Sequence, residues 1–253
     1  MGRAKEIIVK VINSKVANAF VKKNHYSGKV VPNSTLHFGC FLDGSLHGVM
    51  SYGTSMQKSK IINLVKPCLL ITLTIISLVK PCLWNEMLEL NRMAFDEFLP
   101  KYSESRCIAI SVKLLKKNAP HIKWILSYAD GCQCGDGTIY RASGFKLVGL
   151  KKNKTMLKMP NGKIMADKTL NNSNYKKIGQ SAGYWKKNGA KPIEGNQLRY
   201  IYLIDKTCEI TVPILEFSEI DKQDAGMYKG KKITLQERRA INLSAEVDLN
   251  AIS

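Results

Sequence analysis

The sequence predicts an α/β (α+β) chain: one mixed central sheet flanked by helices, followed by a basic C-terminal extension. Three observations carry that prediction. Short β-rich runs alternate with helical stretches up to about residue 150, and two of the runs are joined through Asp43-Gly44, a strong hairpin signal. Hydrophobic residues make up 45% of the chain and charged residues 23%, which suits a packed core and excludes wholesale disorder.

The elements follow in order. Ile7–Ile12 is a short apolar run that reads as a strand. Ser14 can cap a helix over Lys15–Asn24, with Val16, Ala19, Phe20 and Lys23 on one side. Leu36–Leu42 and Leu46–Tyr52 form the two arms of the hairpin. Met87–Phe95 reads as a further strand. Ser103–Lys117 reads as a helix with Ile108, Val112 and Leu115 on its apolar side, stopping before Pro120. Lys123–Ala129 is a buried strand, Asp130–Asp136 a Gly/Cys loop, and Gly137–Ser143 a short helix closed by Gly144. Phe145–Leu150 is another strand, and Leu235–Leu243 a helix near the C-terminus. This divides the chain into a core (1–150), a basic extension (151–232) and a tail (233–253).

Residues 61–84 hold an internal repeat. Ile62–Leu70 recurs as Ile76–Trp84, with seven of nine positions identical. Between Lys66 and Lys80 lie thirteen residues without a charge, too few for a membrane span, which needs about twenty. A local duplication inserted into one strand or loop is the simplest account, so no membrane partner is expected.

Charge narrows the partners. The chain carries 39 Lys+Arg against 20 Asp+Glu, a net charge of +19, which points to a polyanion. Thirteen basic residues face two acidic ones between Lys146 and Arg199, interleaved with Tyr175, Tyr184 and Trp185. Cations alternating with rings suit a groove that tracks phosphates and stacks bases. A solvated lysine face has the same composition. Lysines outnumber arginines 32 to 7. That ratio suits backbone contact over base reading, and codon usage in an A·T-rich genome explains it equally well. The seven cysteines have no framework spacing, and the N-terminal residues lack a signal-peptide pattern. Free thiols in the cytoplasm of a bacterial host are the expectation.

Three clusters carry the chemistry. Asn24-His25-Tyr26-Ser27-Gly28-Lys29 puts a proton-transfer or metal-ligand pair just after the first helix. Ser127-Tyr128-Ala129-Asp130-Gly131 ends a strand, where functional residues of α/β sheets gather, although Asp130 could equally form a turn with Gly131. Cys132 and Cys134 lack a second pair at zinc spacing. The third cluster is Ile139-Tyr140-Arg141-Ala142-Ser143-Gly144-Phe145.

A strand, a short helix carrying Tyr-x-x-x-Gly-Phe and a further strand together resemble the C-terminal half of the GCN5-related acetyltransferase fold. The segments NHYSGK, FLDGSLHGV, ELNRMAF, SESR, HIKWILSYADG, DGTIYRASGF, WKKNGAKPIEGNQLRYIY and DAGMYKGKK together closely resemble the phage Mom family of DNA-modification proteins. The likeness runs from about residue 10 to 232, interrupted by the duplicated stretch.

The resemblance implies an acetyltransferase-like enzyme that converts adenine N6 in double-stranded DNA to a methylcarbamoyl (glycinamide-type) adduct, shielding phage DNA from host restriction. It implies catalytic roles for His25, Tyr26, Asp130 and Tyr140. Tyr140 is placed to protonate a leaving thiolate. An acetyl-CoA or related acyl-CoA would lie along Met93 and Ala94, with Ser103, Ser105 and Arg106 near its phosphates. The chain departs from the pattern there, because Lys101–Arg106 contains no glycine. DNA contacts fall to Ser27, Lys29, Asn91, Arg92, Lys151, Lys152, Tyr184, Trp185, Lys186 and Lys187, with Tyr184 or Trp185 stacking on a base. Iron held by His25, Tyr26 and Asp130 and metal-free acid–base catalysis both suit these residues. Two other classes are an ordinary N-acetyltransferase acting on a protein or small amine, and a non-catalytic DNA-binding relative.

Overall fold

The computed structural model describes residues 3–55, 58–68, 82–228 and 230–240. In chain order the elements are β1 (Ile8–Val11), α1 (Ser14–Asn24), β2 (Ser34–Leu42), β3 (Ser45–Gly53), α2 (Lys58–Ile61), β4 (Val65–Pro67), β5 (Met87–Phe95), α3 (Ser103–Asn118), β6 (Trp124–Gly131), α4 (Thr138–Ala142) and β7 (Lys146–Lys152). There follow β8 (Met156–Lys158), β9 (Ile164–Ala166), α5 (Asp167–Leu170), α6 (Ser173–Lys177), α7 (Ala182–Lys187), β10 (Lys191–Pro192), β11 (Asn196–Leu203), β12 (Cys208–Ile210), α8 (Ser218–Lys222), β13 (Met227–Tyr228) and β14 (Lys231–Lys232). The mixed α/β architecture is the expected one. Its main sheet has seven strands in the order β1-β2-β3-β5-β6-β11-β7.

Two compact units divide the chain. One comprises the residues up to Tyr128, Gly137–Gly149 and Arg199–Glu216; the other comprises Ala129–Asp136, Leu150–Leu198 and the residues from Phe217 onward. This division differs from cuts at 150 and 232. β11, which the sequence reading passed over, lies between β6 and β7 and returns residues 199–203 to the sheet. Its Gln-Leu-Arg-Tyr-Ile-Tyr-Leu run buries Leu198, Tyr200 and Ile201, a pattern hidden inside a segment read for its charge.

In the first unit, Asn13 rather than Ser14 caps α1: its Oδ1 accepts the Val16 N–H at 2.9 Å. The cap has extended backbone while Ser14 is already helical, so only Asn13 reaches a free first-turn donor. The buried stripe lies further round than expected. Ala17 and Val21 pack against Val49 and Ala94, while Val16 is exposed.

One face of the main sheet holds two apolar clusters. The first is the α1 cluster just described. The second joins Met87, Trp124, Leu126, Val148 and Ile201 to Ile61, Leu64, Val65, Cys82 and Cys208. The start of the first repeat copy therefore belongs to the core, with β4 paired antiparallel to β12. Most of the second copy lies outside the described residues, but Cys82, near its end, joins the same cluster.

Two features open the sheet. β5 pairs with β3 as far as Phe95, with a bulge between Leu90 and Arg92 that makes Asn91 the extra residue. On its other side the parallel pairing with β6 covers only Met87–Leu90, opposite Trp124–Ser127. The Ser127 hydroxyl donates to the Leu90 carbonyl at 3.0 Å at that last pair.

The second unit is built on the sheet β10-β8-β9 and the short helices α5–α7. Leu157, Met159, Met165, Leu170, Ala182 and Ala190 form its core. Buried Asn153 ties the loops together, donating to the Met156 and Ile193 carbonyls and accepting from Thr155 and Met156 N–H.

Residues 235–240 are helical, and the rest of the expected Leu235–Leu243 helix lies outside the described residues. This segment is anchored to the unit. Arg238 donates to the buried Asp136 carboxylate at 2.6 Å and also reaches Asp221 at 3.3 Å, while Asp136 accepts the Met227 N–H at 3.0 Å. Replacing Arg238 by Met leaves Asp136 buried without its cation. We expect a loss of about 3–5 kcal/mol in chemical denaturation. A loss below about 1 kcal/mol would show that the pair does not hold the C-terminal segment.

Candidate active site

The His-Tyr loop closes α1. The His25 N–H bonds the Val21 carbonyl at 2.9 Å, and Gly28, at φ +59, donates back to the His25 carbonyl at 2.8 Å. His25 Nδ1 accepts the Ser27 N–H at 3.1 Å and lies 2.8 Å from Ser27 Oγ, which itself accepts from Lys29 N–H at 3.3 Å. The arrangement that satisfies all three contacts has Nδ1 as acceptor, so neutral His25 carries its proton on Nε2. The Tyr26 ring is exposed and lies 4.2 Å from the His25 ring, tilted by 32°.

Arg92 holds this loop to β5. Its Nε donates to the Lys29 carbonyl at 2.9 Å and its Nη1 to the Asn91 carbonyl at 2.7 Å. Arg92, which the sequence assigns to DNA, here bridges a carbonyl of the loop and one of β5 through its planar guanidinium. Bulged Asn91 is buried and accepts from Ser34 Oγ at 2.7 Å, while its Nδ2 is buried without a partner.

Register places His37, Ser51 and Arg92 side by side on the face covered by α1. His37 and Ser51 are both buried, with Nδ1 and Oγ 2.8 Å apart, and His37 Nε2 has no partner. Nothing in the motifs singled out this pair. A polar residue at an inward position of each hairpin arm was the available signal.

Tyr140 and Phe145 meet because Gly144, at φ +81, turns the chain so that Phe145 N–H bonds the Tyr140 carbonyl at 3.0 Å. Their rings lie 5.4 Å apart, and Tyr140 also packs on Tyr200 at 5.2 Å. Tyr140 is buried. Beside α4, Gly137 (φ +89) leaves no room for a Cβ, which would fall 2.5 Å from the Tyr200 ring.

The expected cofactor side chains bond nearby backbone carbonyls. Ser103 donates to the Pro100 carbonyl at 2.5 Å, Ser105 to the Tyr102 carbonyl at 3.1 Å, and Arg106 to the Lys5 carbonyl at 3.0 Å. Tyr102 enters α3 at φ +69 with no side-chain cap. What suits an acyl-CoA here is backbone: the edge of β5 beyond Leu90, which includes Met93 and Ala94, and the uncapped start of α3.

In the second unit, Asp130 accepts from Cys132 N–H at 3.1 Å and from the Gln133 and Gln197 amides at 2.9 and 3.0 Å. Both carboxylate oxygens are engaged, in an Asx-type turn that Gln197 closes from β11. Gln133 and Gln197 escaped sequence reasoning because amides carry no titration signal. Burial, then the nearby Asp130 charge, pushes the Cys132 thiol up to about 12, and Cys134 is raised by the same causes. Both are poor thiolate ligands at neutral pH.

The basic residues of this unit separate by burial. Lys151 and Lys152 are exposed at the end of β7, and Lys152 joins Glu194, Asn196 and Lys232 around a cavity of about 490 Å³. On α7, Trp185 packs against the Leu157 core while Tyr184 stays exposed, edge-on to it at 5.4 Å. Lys186 pairs with Asp167 at 2.9 Å, and Lys187 is exposed.

His25 and Asp130, two of the residues expected to hold iron, already make hydrogen bonds within the protein. His25 has one ring nitrogen committed to Ser27, and Asp130 has both oxygens occupied. Among the described residues no three His, Cys, Asp or Glu side chains group around a common point. No described helix is long and apolar enough to cross a membrane.

Fold and site together define a mixed α/β protein with a loop-borne His-Tyr pair and a lysine-rich second unit. The chain belongs to the Mom protein family, whose model matches residues 6–219. It is 30% identical over 206 residues to the methylcarbamoylase mom of Escherichia phage Mu, covering 80% of this chain and 78% of that protein. Among solved structures it is similar to a GNAT-superfamily phosphinothricin acetyltransferase from Sinorhizobium meliloti in complex with acetyl-CoA. The TM-score is 0.45 and the identity 8%, over 84% of this chain and 95% of that one. It is also similar to an IAA acetyltransferase from Bacillus cereus, with a TM-score of 0.42 and 9% identity over 78% and 99% of the two chains.

Burial holds the His37 pKa below its ordinary value of 6.5. Protonation therefore favours the unfolded chain, and this contribution to stability is present above pH 6.5 and lost as pH falls below it. Urea denaturation between about pH 5 and 7 should show a shallower pH slope for His37→Asn than for the parent chain. Identical slopes would mean that His37 titrates normally.

Proposed function

We propose that this protein is a DNA-modifying transferase that converts adenine N6 to a methylcarbamoyl (glycinamide-type) adduct and thereby shields phage DNA from host restriction. The observation that carries this reading is the 30% identity over 206 residues to a protein named as a methylcarbamoylase. The net charge of +19 and the lysine-rich second unit support DNA as the substrate.

The chemistry sets the roles. The N6 lone pair of adenine is delocalised into the ring, so the amine needs its proton removed as its nitrogen bonds the methylene carbon of the incoming carbamoylmethyl group and that carbon releases its leaving group. His25, with Nδ1 held by Ser27, is assigned to donate from Nε2 to the carboxamide oxygen of the incoming group. Asp130 is assigned to take the N6 proton by exchanging one of its amide partners for the incoming amine. Tyr26 borders the acceptor, and Tyr140 is assigned to return a proton to the leaving group. Acyl transfer from an acyl-CoA would leave an N6-acyl group, so the donor of this adduct carries its own carboxamide and a leaving group on the methylene carbon; the β5 edge at Met93 and Ala94 and the start of α3 are the groups that would hold a CoA moiety. Arg92 keeps the His25–Lys29 loop in register throughout. Because N6 is paired within a duplex, the target base must leave the stack.

Nucleosides from DNA of cells expressing the protein should contain a modified deoxyadenosine by mass spectrometry, and Asp130→Ala should abolish it. No adduct from well-folded parent protein would refute the function. On α7 the ring offered to a base is Tyr184, because Trp185 packs half-buried against the Leu157 core. Tyr184→Ala should weaken single-stranded DNA binding by about 1–3 kcal/mol at an unchanged melting temperature. Trp185→Ala should instead lower the melting temperature, and the reverse pattern would exchange the two assignments.

A further inference from the structure

The sheet face that carries the two apolar clusters is polar between them. Antiparallel register puts Ala94, Arg92 and Glu89 on that face, opposite Val49, Ser51 and Gly53, because the Asn91 bulge shifts the alternation by one. Parallel register puts Leu126 opposite Glu89, so Tyr128, two residues on, shares the face. Arg199 joins them, two residues before Ile201 of the second cluster. Tyr128 is 37% exposed although its strand is otherwise core. Its hydroxyl is hydrogen-bonded to Arg199 and feels the charge of Glu89. Arg199 Nη2 donates to the Val148 carbonyl at 3.3 Å, while its Nε is buried with no partner.

The order along this strip is a carboxylate acceptor, a phenol and a guanidinium donor. Burial and the Glu89 charge raise the Tyr128 pKa, so the phenol keeps its proton at neutral pH. With Arg199 donating to its oxygen, that proton is available to a ligand. An amino-bearing base presents the complement: an exocyclic N–H donor beside a ring-nitrogen acceptor. A keto base presents a carbonyl oxygen where the amine would be, opposite a carboxylate that can only accept.

We propose that Glu89, Tyr128 and Arg199 form a specificity site for the acceptor base, with Glu89 accepting from the exocyclic amine and Tyr128 donating to the adjacent ring nitrogen. This rests on DNA being the substrate, as proposed above. The site selects a base whose amine and neighbouring ring nitrogen lie away from the sugar over thymine and over guanine, whose amine–N3 pair lies beside its deoxyribose; rejection of cytosine is left to the size of the pocket, since cytosine shares the donor–acceptor pair.

The test uses the full-length protein and single-stranded 12-mer oligodeoxynucleotides that differ only at a central dA, dC, dG or dT. The parent chain should bind the dA oligomer more tightly than the dG or dT oligomers by about tenfold or more. Tyr128→Phe and Glu89→Gln should each reduce that preference to within about twofold while total binding to long DNA persists, because the lysines of the second unit are untouched. Should Glu89→Gln fail to fold, Tyr128→Phe, which removes a single hydroxyl, decides alone. A parent chain that forms the deoxyadenosine adduct while Tyr128→Phe keeps the full dA preference overturns this inference and leaves the function standing. A parent chain that forms no adduct refutes the function itself, and a flat base preference in the same chain removes this site with it.

Discussion

Hydrogen bonding between β5 and β6 stops at Leu90–Ser127, and the layout of the first unit follows from that interruption. Two parallel strands that separate leave backbone donors and acceptors along the edge of one of them, and a protein must cover that edge or use it. Here the bulge at Asn91 coincides with the end of pairing and reverses which β5 side chains face α1. Arg92 thereby points at the loop after α1 and clamps Lys29, bringing the His-Tyr pair to the sheet. Without the bulge, the same alternation would turn Arg92 to the opposite face.

The same shift explains why one sheet face carries apolar clusters at both ends and polar groups between them. Ala94 and Val49 pack beneath α1, while Met87, Trp124 and Leu126 pack beneath β4 and β12. His37, Ser51, Arg92, Glu89 and Tyr128 occupy the band between. A buried polar band costs stability unless its groups are paired. His37 Nε2, Asn91 Nδ2 and Arg199 Nε remain buried without partners. Asn153 of the second unit, by contrast, has its side-chain amide bonded on both sides.

The duplicated stretch sits within this scheme. Val65–Pro67, from the first copy, supplies a strand for β12, and Ile61, Leu64, Val65 and Cys82 complete the apolar cluster over β6. The described ends of the insertion are thus part of the core. Local sequence marks an insertion by repetition, whereas burial shows what the flanking residues are for.

The sequence by itself determined most strands and helices, because alternation, the Asp43-Gly44 turn, Gly144 and the residues before Pro120 act over a few neighbouring positions. It also marked the His-Tyr, Asp-Gly and Tyr-x-x-x-Gly-Phe motifs and the lysine-rich segment, which are visible as residue types. What tertiary structure decided is which of these groups remain available. Arg92, Ser103, Ser105 and Arg106 look like ligand contacts in a list of residues and prove to be bonded to nearby backbone. Trp185 looks like a stacking ring and packs half-buried against a core, leaving Tyr184 outside. β11 and the strip of Glu89, Tyr128 and Arg199 were invisible for one physical reason. Strand neighbours are chosen by pairing across long stretches of chain, and a single bulge sets which face a side chain meets, so neither is encoded in local periodicity.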